Sequence, residues 1–211
     1  MNVYFDTEFS GLHKNTQLIS IGLVSDDDQQ FYAEITDYNK DMLGDWVKEN
    51  VLSKMIREMH SEDRYHVPGY HTGTKKDIAE ALRNWLMQWT SVTFVSDVCH
   101  YDMILLIDLF GSAFDLPGHV CPACYDINQD IAAYFNITLK QAFDKSREEI
   151  VNDILNDPVD ERMKHNALYD AHVIKKIYDG IHDKVYRGIH YETEEAVQRT
   201  PKPKRTFAED Y

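Results

Sequence analysis

The hydrophobic pattern begins at once, with the β-rich run Asn2 to Phe9 followed by Gln17 to Val24 and the alternating stretch Gln30 to Ile35. Runs of this length separated by turn residues predict strands, and the Asp26-Asp27-Asp28 turn between the last two predicts a three-stranded antiparallel meander over residues 2 to 35. From Leu43 to Met59 the period becomes helical, with a break near Ser53 and with Trp46, Val47, Val51 and Ile56 on the expected buried side. Residues 61 to 73 read as a long loop holding His66 and His71, just after His60. Thr74 then caps an amphipathic helix running to Trp89, whose apolar face is Ile78, Leu82, Trp85, Leu86 and Trp89. Val92 to Val98 reads as a buried strand, and Met103 to Phe110 as a helix closed by Gly111. Three more helices are predicted over Asp126 to Phe135, Leu139 to Leu155 and Asn166 to Ile181, with a turn at Pro158 between the last two. Strands alternating with helices point to an α/β sandwich around a mixed sheet.

The composition narrows the class. At 211 residues, 43% hydrophobic and 27% charged, the chain suits one globular domain, expected over residues 1–190, with a charged tail over 191–211. Within that tail the basic run Lys202 to Arg205 reads as a solvated terminus. No apolar run is long enough to span a membrane, and no basic, apolar leader opens the chain, so a cytoplasmic setting without membrane contact is expected. Three cysteines, Cys99, Cys121 and Cys124, fit a reducing compartment better than a disulfide framework. The single C-x-x-C they contain supplies half a zinc site at most. The net charge of −14 argues against a long nucleic-acid footprint. That objection weakens if carboxylates gather around cations and the ligand is only a short single-stranded end.

Candidate chemistry sits in three places. Asp6 and Glu8 lie two apart in the first strand and so share a face. Either they are a turn cap and a solvated acid, or they converge on a hard cation such as Mg²⁺ or Mn²⁺. Cys99-His100-Tyr101-Asp102 follows a strand and opens a helix, and His165 stands five residues ahead of Asp170 where the last long helix begins. Each is weak alone; their order and placement together are specific.

With these motifs the sequence resembles the DEDDh group of 3′→5′ exonucleases, and within it the small mycobacterial-type exoribonucleases. Asp6-Thr7-Glu8-Phe9-Ser10-Gly11-Leu12 matches the first motif, Tyr101-Asp102 the second, and His165 with Asp170 the third. The closer likeness rests on Leu18 to Val24 and on Trp46-Val47 followed by Val51-Leu52. One departure stands out. Ser96, Asp97 and Cys99 occupy the neighbourhood where the second motif usually carries an asparagine, which leaves Asp97 as a rival to Asp102.

The resemblance implies an α/β, ribonuclease H-like fold with a mixed five-stranded β-sheet flanked by α-helices. It implies two ions of Mg²⁺ or Mn²⁺ per site, with Asp6 bridging, Glu8 and Asp170 on the nucleophile side, Asp102 reached through water on the leaving-group side, and His165 as general base. Thr7, Phe9, Leu12 and Tyr101 become the expected substrate contacts. The expected partner is the 3′ end of single-stranded RNA or DNA, with RNA favoured, and a homodimer is expected because proteins of this fold often pair. A DNA exonuclease of repair, phage or antiviral defence, and a nucleic-acid-binding module without catalysis, are the rival readings.

Overall fold

The computed structural model describes residues 1–58, 68–157 and 161–199, and from 185 onward only the course of the backbone. Met59, His60, His66, the Pro158 turn and the run Lys202 to Arg205 therefore lie outside the described residues.

Among the described residues six strands form one mixed sheet, where the family resemblance implies five. They are β1 (Asn2–Phe9), β2 (Leu18–Ser25), β3 (Gln30–Ile35), β4 (Tyr70–Gly73), β5 (Thr93–Ser96) and β6 (Tyr125–Asp126), in the order β4-β3-β2-β1-β5-β6. The meander of β1, β2 and β3 is antiparallel, as its turn chemistry predicts, while β4, β5 and β6 join in parallel. The surplus comes from the short edge strands. β4 is four residues long and occupies part of the expected loop, and β6 is a two-residue pairing too brief to leave an alternating pattern.

Helices cover both faces. On one side α2 (Lys75–Leu86) and α3 (Cys99–Phe110) pack with Val3, Phe5, Leu23 and Phe94. On the other, Tyr4 and Val95 meet α4 (Asn128–Phe135), α6 (Arg147–Leu155) and α7 (Ala167–Arg199). Alternate residues of β1 thus serve two cores, which is why the strand reads as nearly continuously apolar up to Asp6. Thr74 caps α2 through a capping box with Asp77, as predicted. Among the described residues, the region after residue 43 yields only the short α1 (Asp45–Asn50) and 3₁₀ turns. The predicted helix over Leu139 to Leu155 is two helices, α5 (Leu139–Asp144) and α6, because Ser146 caps a new start. No described helix is long and apolar enough to cross a membrane.

One packing detail fixes the geometry that follows. Gly22 of β2 pairs with Asp6 of β1 across the ladder. The first turn of α7 lies so close that a Cβ on Gly22 would stand 2.2 Å from the Leu168 nitrogen and 2.3 Å from the Ala167 carbonyl carbon.

Candidate active site

The cleft at the end of β1 has a volume of about 620 Å³, and Asp6, Glu8, Asp97, Asp102, His165 and Asp170 all line it. Asp6 and Glu8 share the face of β1 opposite Phe5, as the two-residue period requires. Asp102 stands in the first turn of α3 and is 1% exposed. Thr7 Oγ1 donates to its Oδ1 at 2.6 Å, and Ser96 Oγ donates to its Oδ2. His165 precedes α7 in a left-handed conformation, φ 67°, and its backbone N–H donates to Asp170 Oδ2 at 3.0 Å. A non-glycine residue in that region is held by its surroundings. Here Asn166 anchors the turn, donating to the Lys54 carbonyl at 2.9 Å while its own Oδ1 accepts from the Tyr169 N–H.

Two sets of donor atoms gather within this cleft. Glu8, His165 and Asp170 offer ligand atoms within 4.8 Å of one another, and so do Asp6, Asp97 and Asp102. Packing so much negative charge out of water is unfavourable. Burial and then the charges of Asp102, Asp170, Glu8 and Asp97 hold the Asp6 carboxyl well above its usual range. Glu8 is raised for the same reasons, by burial and then by Asp170 and Asp102. Burial lifts Asp102 to about 7 against the opposing Ser96 and Thr7 hydrogen bonds, and lifts Asp170 to about 8 with Asp97 adding to the effect. His165 is pushed down, by burial and then by Lys164, so the neutral imidazole is favoured. Clustered buried carboxylates with one imidazole are a hard donor set, and a divalent cation relieves the repulsion among them.

The expected substrate contacts divide. Thr7, Phe9 and Leu12 line the cleft, Leu12 at 78% exposure, whereas Tyr101 stacks behind Phe9 with ring centroids 5.1 Å apart and is not among the lining residues. Trp46, expected in the core, is 57% exposed at the cleft rim and sets its ring edge-on to His165 at 5.0 Å. Helical periodicity placed it inward, but α1 is only six residues long and turns that ring to the cleft. The hold of Ser96 on Asp102, and Arg147 altogether, also escaped the sequence reading. Arg147 pairs with Asp97 at 2.6 Å across 50 positions, a separation at which a single sequence carries no signal. Asp97 and Asp102, set as rivals by the motif, are both in the cleft.

The cysteines are all free thiols. Cys124 shares the C-x-x-C with Cys121. Its thiol meets that of Cys99, a hydrogen bond that together with burial pushes it upward, and both thiols lie against the Tyr125 carbonyl. His71, from the histidine-bearing loop, stacks on Phe31 at 4.7 Å.

Comparison with known proteins places this arrangement. Residues 1–182 match the model of the 3′-5′ exoribonuclease Rv2179c-like domain. The chain belongs to that family. Two curated Mycobacterium tuberculosis proteins, 3′-5′ exoribonuclease Rv2179c of strain ATCC 25618 / H37Rv and 3′-5′ exoribonuclease MT2234.1 of strain CDC 1551 / Oshkosh, are each 38% identical over 122 residues. That match covers 57% of this chain and 67% of theirs. Among solved structures, the nuclease domain of 3′hExo, a DEDDh family member bound to rAMP, superposes with a TM-score of 0.58 at 13% identity, covering 84% of this chain and 88% of that one. A 3′-exonuclease in a structure of histone mRNA stem-loop recognition gives 0.55 at 11% identity, over 84% of this chain and 61% of that one. These likenesses bear out the ribonuclease H-like fold and the resemblance read from the three motifs; the chain is a 3′→5′ exonuclease domain.

Proposed function

We propose that this domain shortens single-stranded RNA from its 3′ end, releasing nucleoside monophosphates, with Mg²⁺ or Mn²⁺ held by Asp6, Glu8, Asp102 and Asp170 and with His165 as general base. The observation that carries the reading is the meeting of carboxylates from β1, α3 and α7 with one imidazole in a single cleft. The donor set fits hard cations, and two of them when bound supply water activation, charge neutralisation at the phosphoryl group and stabilisation of the departing oxygen.

The chain's own residues do the rest. His165, kept neutral and within 4.8 Å of Glu8 and Asp170, is placed to take the proton of an attacking water. The hydroxyls of Thr7 and Ser96 fix the Asp102 carboxylate, so its oxygens cannot rotate away. Exposed Leu12 and Trp46, with Phe9 beside them, offer apolar and aromatic surface to the terminal base and sugar. Lys164, paired with Glu148 at 3.1 Å, adds a cation to the lining of the cleft in a chain of net charge −14. RNA is favoured over DNA because the curated relatives are named exoribonucleases.

The same reading keeps the nuclease unit within residues 1–190 and treats 191–211 as a charged tail. Free thiols suit a cytoplasmic setting. Pairing of two copies rests on the family resemblance alone and is checked by sedimentation.

The deciding experiment incubates 3′-extended, 5′-labelled RNA and DNA of matched sequence with Mg²⁺ or Mn²⁺, alongside Asp6→Ala. Ladders descending from the 3′ end of RNA, absent in the variant, support the proposal. DNA degraded faster than RNA overturns the RNA preference, and gel shifts without cleavage indicate a binding module instead.

A further inference from the structure

Asp97 follows β5, and its carboxylate belongs with those of Asp6 and Asp102, all within 4.8 Å. The two second-motif acids are held in different ways. Asp102 has a hydroxyl donor on each oxygen. Asp97 is gripped on one side only: Arg147 Nε donates to Oδ2 at 2.6 Å, and no described residue donates to Oδ1. The pair is little exposed, 15% for the Arg147 side chain and 13% for that of Asp97.

The grip is built from several elements. Arg147 Nη1 donates to the Ala142 and Lys145 carbonyls at 2.9 and 3.2 Å, and Nη2 donates to Asn128 Oδ1 at 2.7 Å. Asn128 in turn donates from Nδ2 to the Asp97 carbonyl at 2.7 Å. Backbone and side chain of Asp97 are thus fixed by one Arg147–Asn128 unit. A guanidinium engaged in this way has little left to offer a phosphate, so its service to the cleft goes through Asp97. A lysine would keep the charge but lose the fork that spans these partners.

We propose that Asp97 is a fifth carboxylate of the metal centre, and that Arg147, anchored on Asn128, is the residue that positions it. This rests on the nuclease reading for the identity of the centre, but ion binding tests it independently of turnover.

Calorimetric titration of the full chain with Mn²⁺, paired with single-stranded RNA hydrolysis, decides the matter for wild type, Asp97→Asn, Arg147→Gln, Arg147→Lys and the double variant Asp97→Asn/Arg147→Gln. Asparagine keeps an acceptor for Arg147 Nε, so Asp97→Asn is expected to fold, and circular dichroism checks each variant. Both Asp97→Asn and Arg147→Gln should weaken Mn²⁺ binding about 10- to 100-fold, with Arg147→Lys failing to restore it. The double variant should bind within about twofold of Asp97→Asn, because Arg147 acts through that carboxylate. For hydrolysis, kcat should fall while KM for RNA stays within about twofold. Wild-type Mn²⁺ affinity in Asp97→Asn overturns the ligand role; additive losses, or full rescue by Arg147→Lys, overturn the positioning role. A wild type that binds no Mn²⁺ and cleaves nothing overturns the nuclease reading itself, whereas an active wild type with an indifferent Asp97→Asn overturns only this inference.

Discussion

Replacing Asp102 by asparagine should stabilise the metal-free protein at alkaline pH while ending its usefulness as a nuclease. The Asp102 carboxyl is raised from 3.8 to about 7 by burial, so its folded form holds a proton more tightly than its unfolded form. The stability this confers is complete below 3.8 and is lost as the pH rises through about 7. At about 1.36 kcal/mol for each pH unit, wild type loses about 3 kcal/mol between pH 5 and pH 8 from this group, a loss the asparagine cannot suffer. Asp102 also raises Asp6 and Glu8, so relieving its charge acts in the same direction. Against a total stability of roughly 5–15 kcal/mol this is large, equivalent to about 6–12 °C in a chain of this size. Urea unfolding in EDTA at both pH values measures it. The advantage of Asp102→Asn over wild type should grow by about 3 kcal/mol from pH 5 to pH 8. An equal gap at the two values, or one that shrinks, refutes the argument that burial and not merely shape governs this carboxyl.

Mn²⁺ should reverse the penalty: at about a hundred times its Kd it should stabilise wild type at pH 8 by about 2.7 kcal/mol, and Asp102→Asn by clearly less, read from unfolding midpoints. His165→Ala should lower kcat by about 10²- to 10⁴-fold. Because burial lowers the imidazole pKa, the wild-type rate should rise with pH only on the acid side of 6.5 and level off above it, a limb that the variant's pH profile should lack. Trp46→Ala should raise KM for RNA about 5- to 150-fold, the equivalent of the about 1–3 kcal/mol that one base–aromatic stack contributes, with Trp46→Phe intermediate in the same steady-state assay. Gly22→Ala should leave metal ligands intact yet reduce kcat, because its methyl meets the start of α7.

Much of this site was legible because its parts are local. Asp6 and Glu8 announce a shared face by their spacing, and Asp102 and Asp170 fall at helix starts whose signals are short-range. What stayed hidden depends on contacts between distant segments. Arg147 reaches Asp97 across the cleft wall, and Cys124 finds Cys99 and not its sequence neighbour Cys121. Trp46 was misplaced for a different reason: a six-residue helix is too short for its periodicity to say which side faces inward. The short strands β4 and β6 are products of pairing at the sheet edges and have no pattern of their own.

Gly22 carries no reactive group, yet it stands across the ladder from Asp6 and beneath the turn that presents His165 and Asp170. It is therefore the shim between the two halves of the cleft, and its thickness is set by the absence of a side chain. Since a shift of about 1 Å can cost about a hundredfold in rate, a chain of this design can lose its chemistry with every acid and the imidazole still in place. Variants that keep the acids and the imidazole but fill this gap should therefore be judged by spacing, whatever their motifs promise.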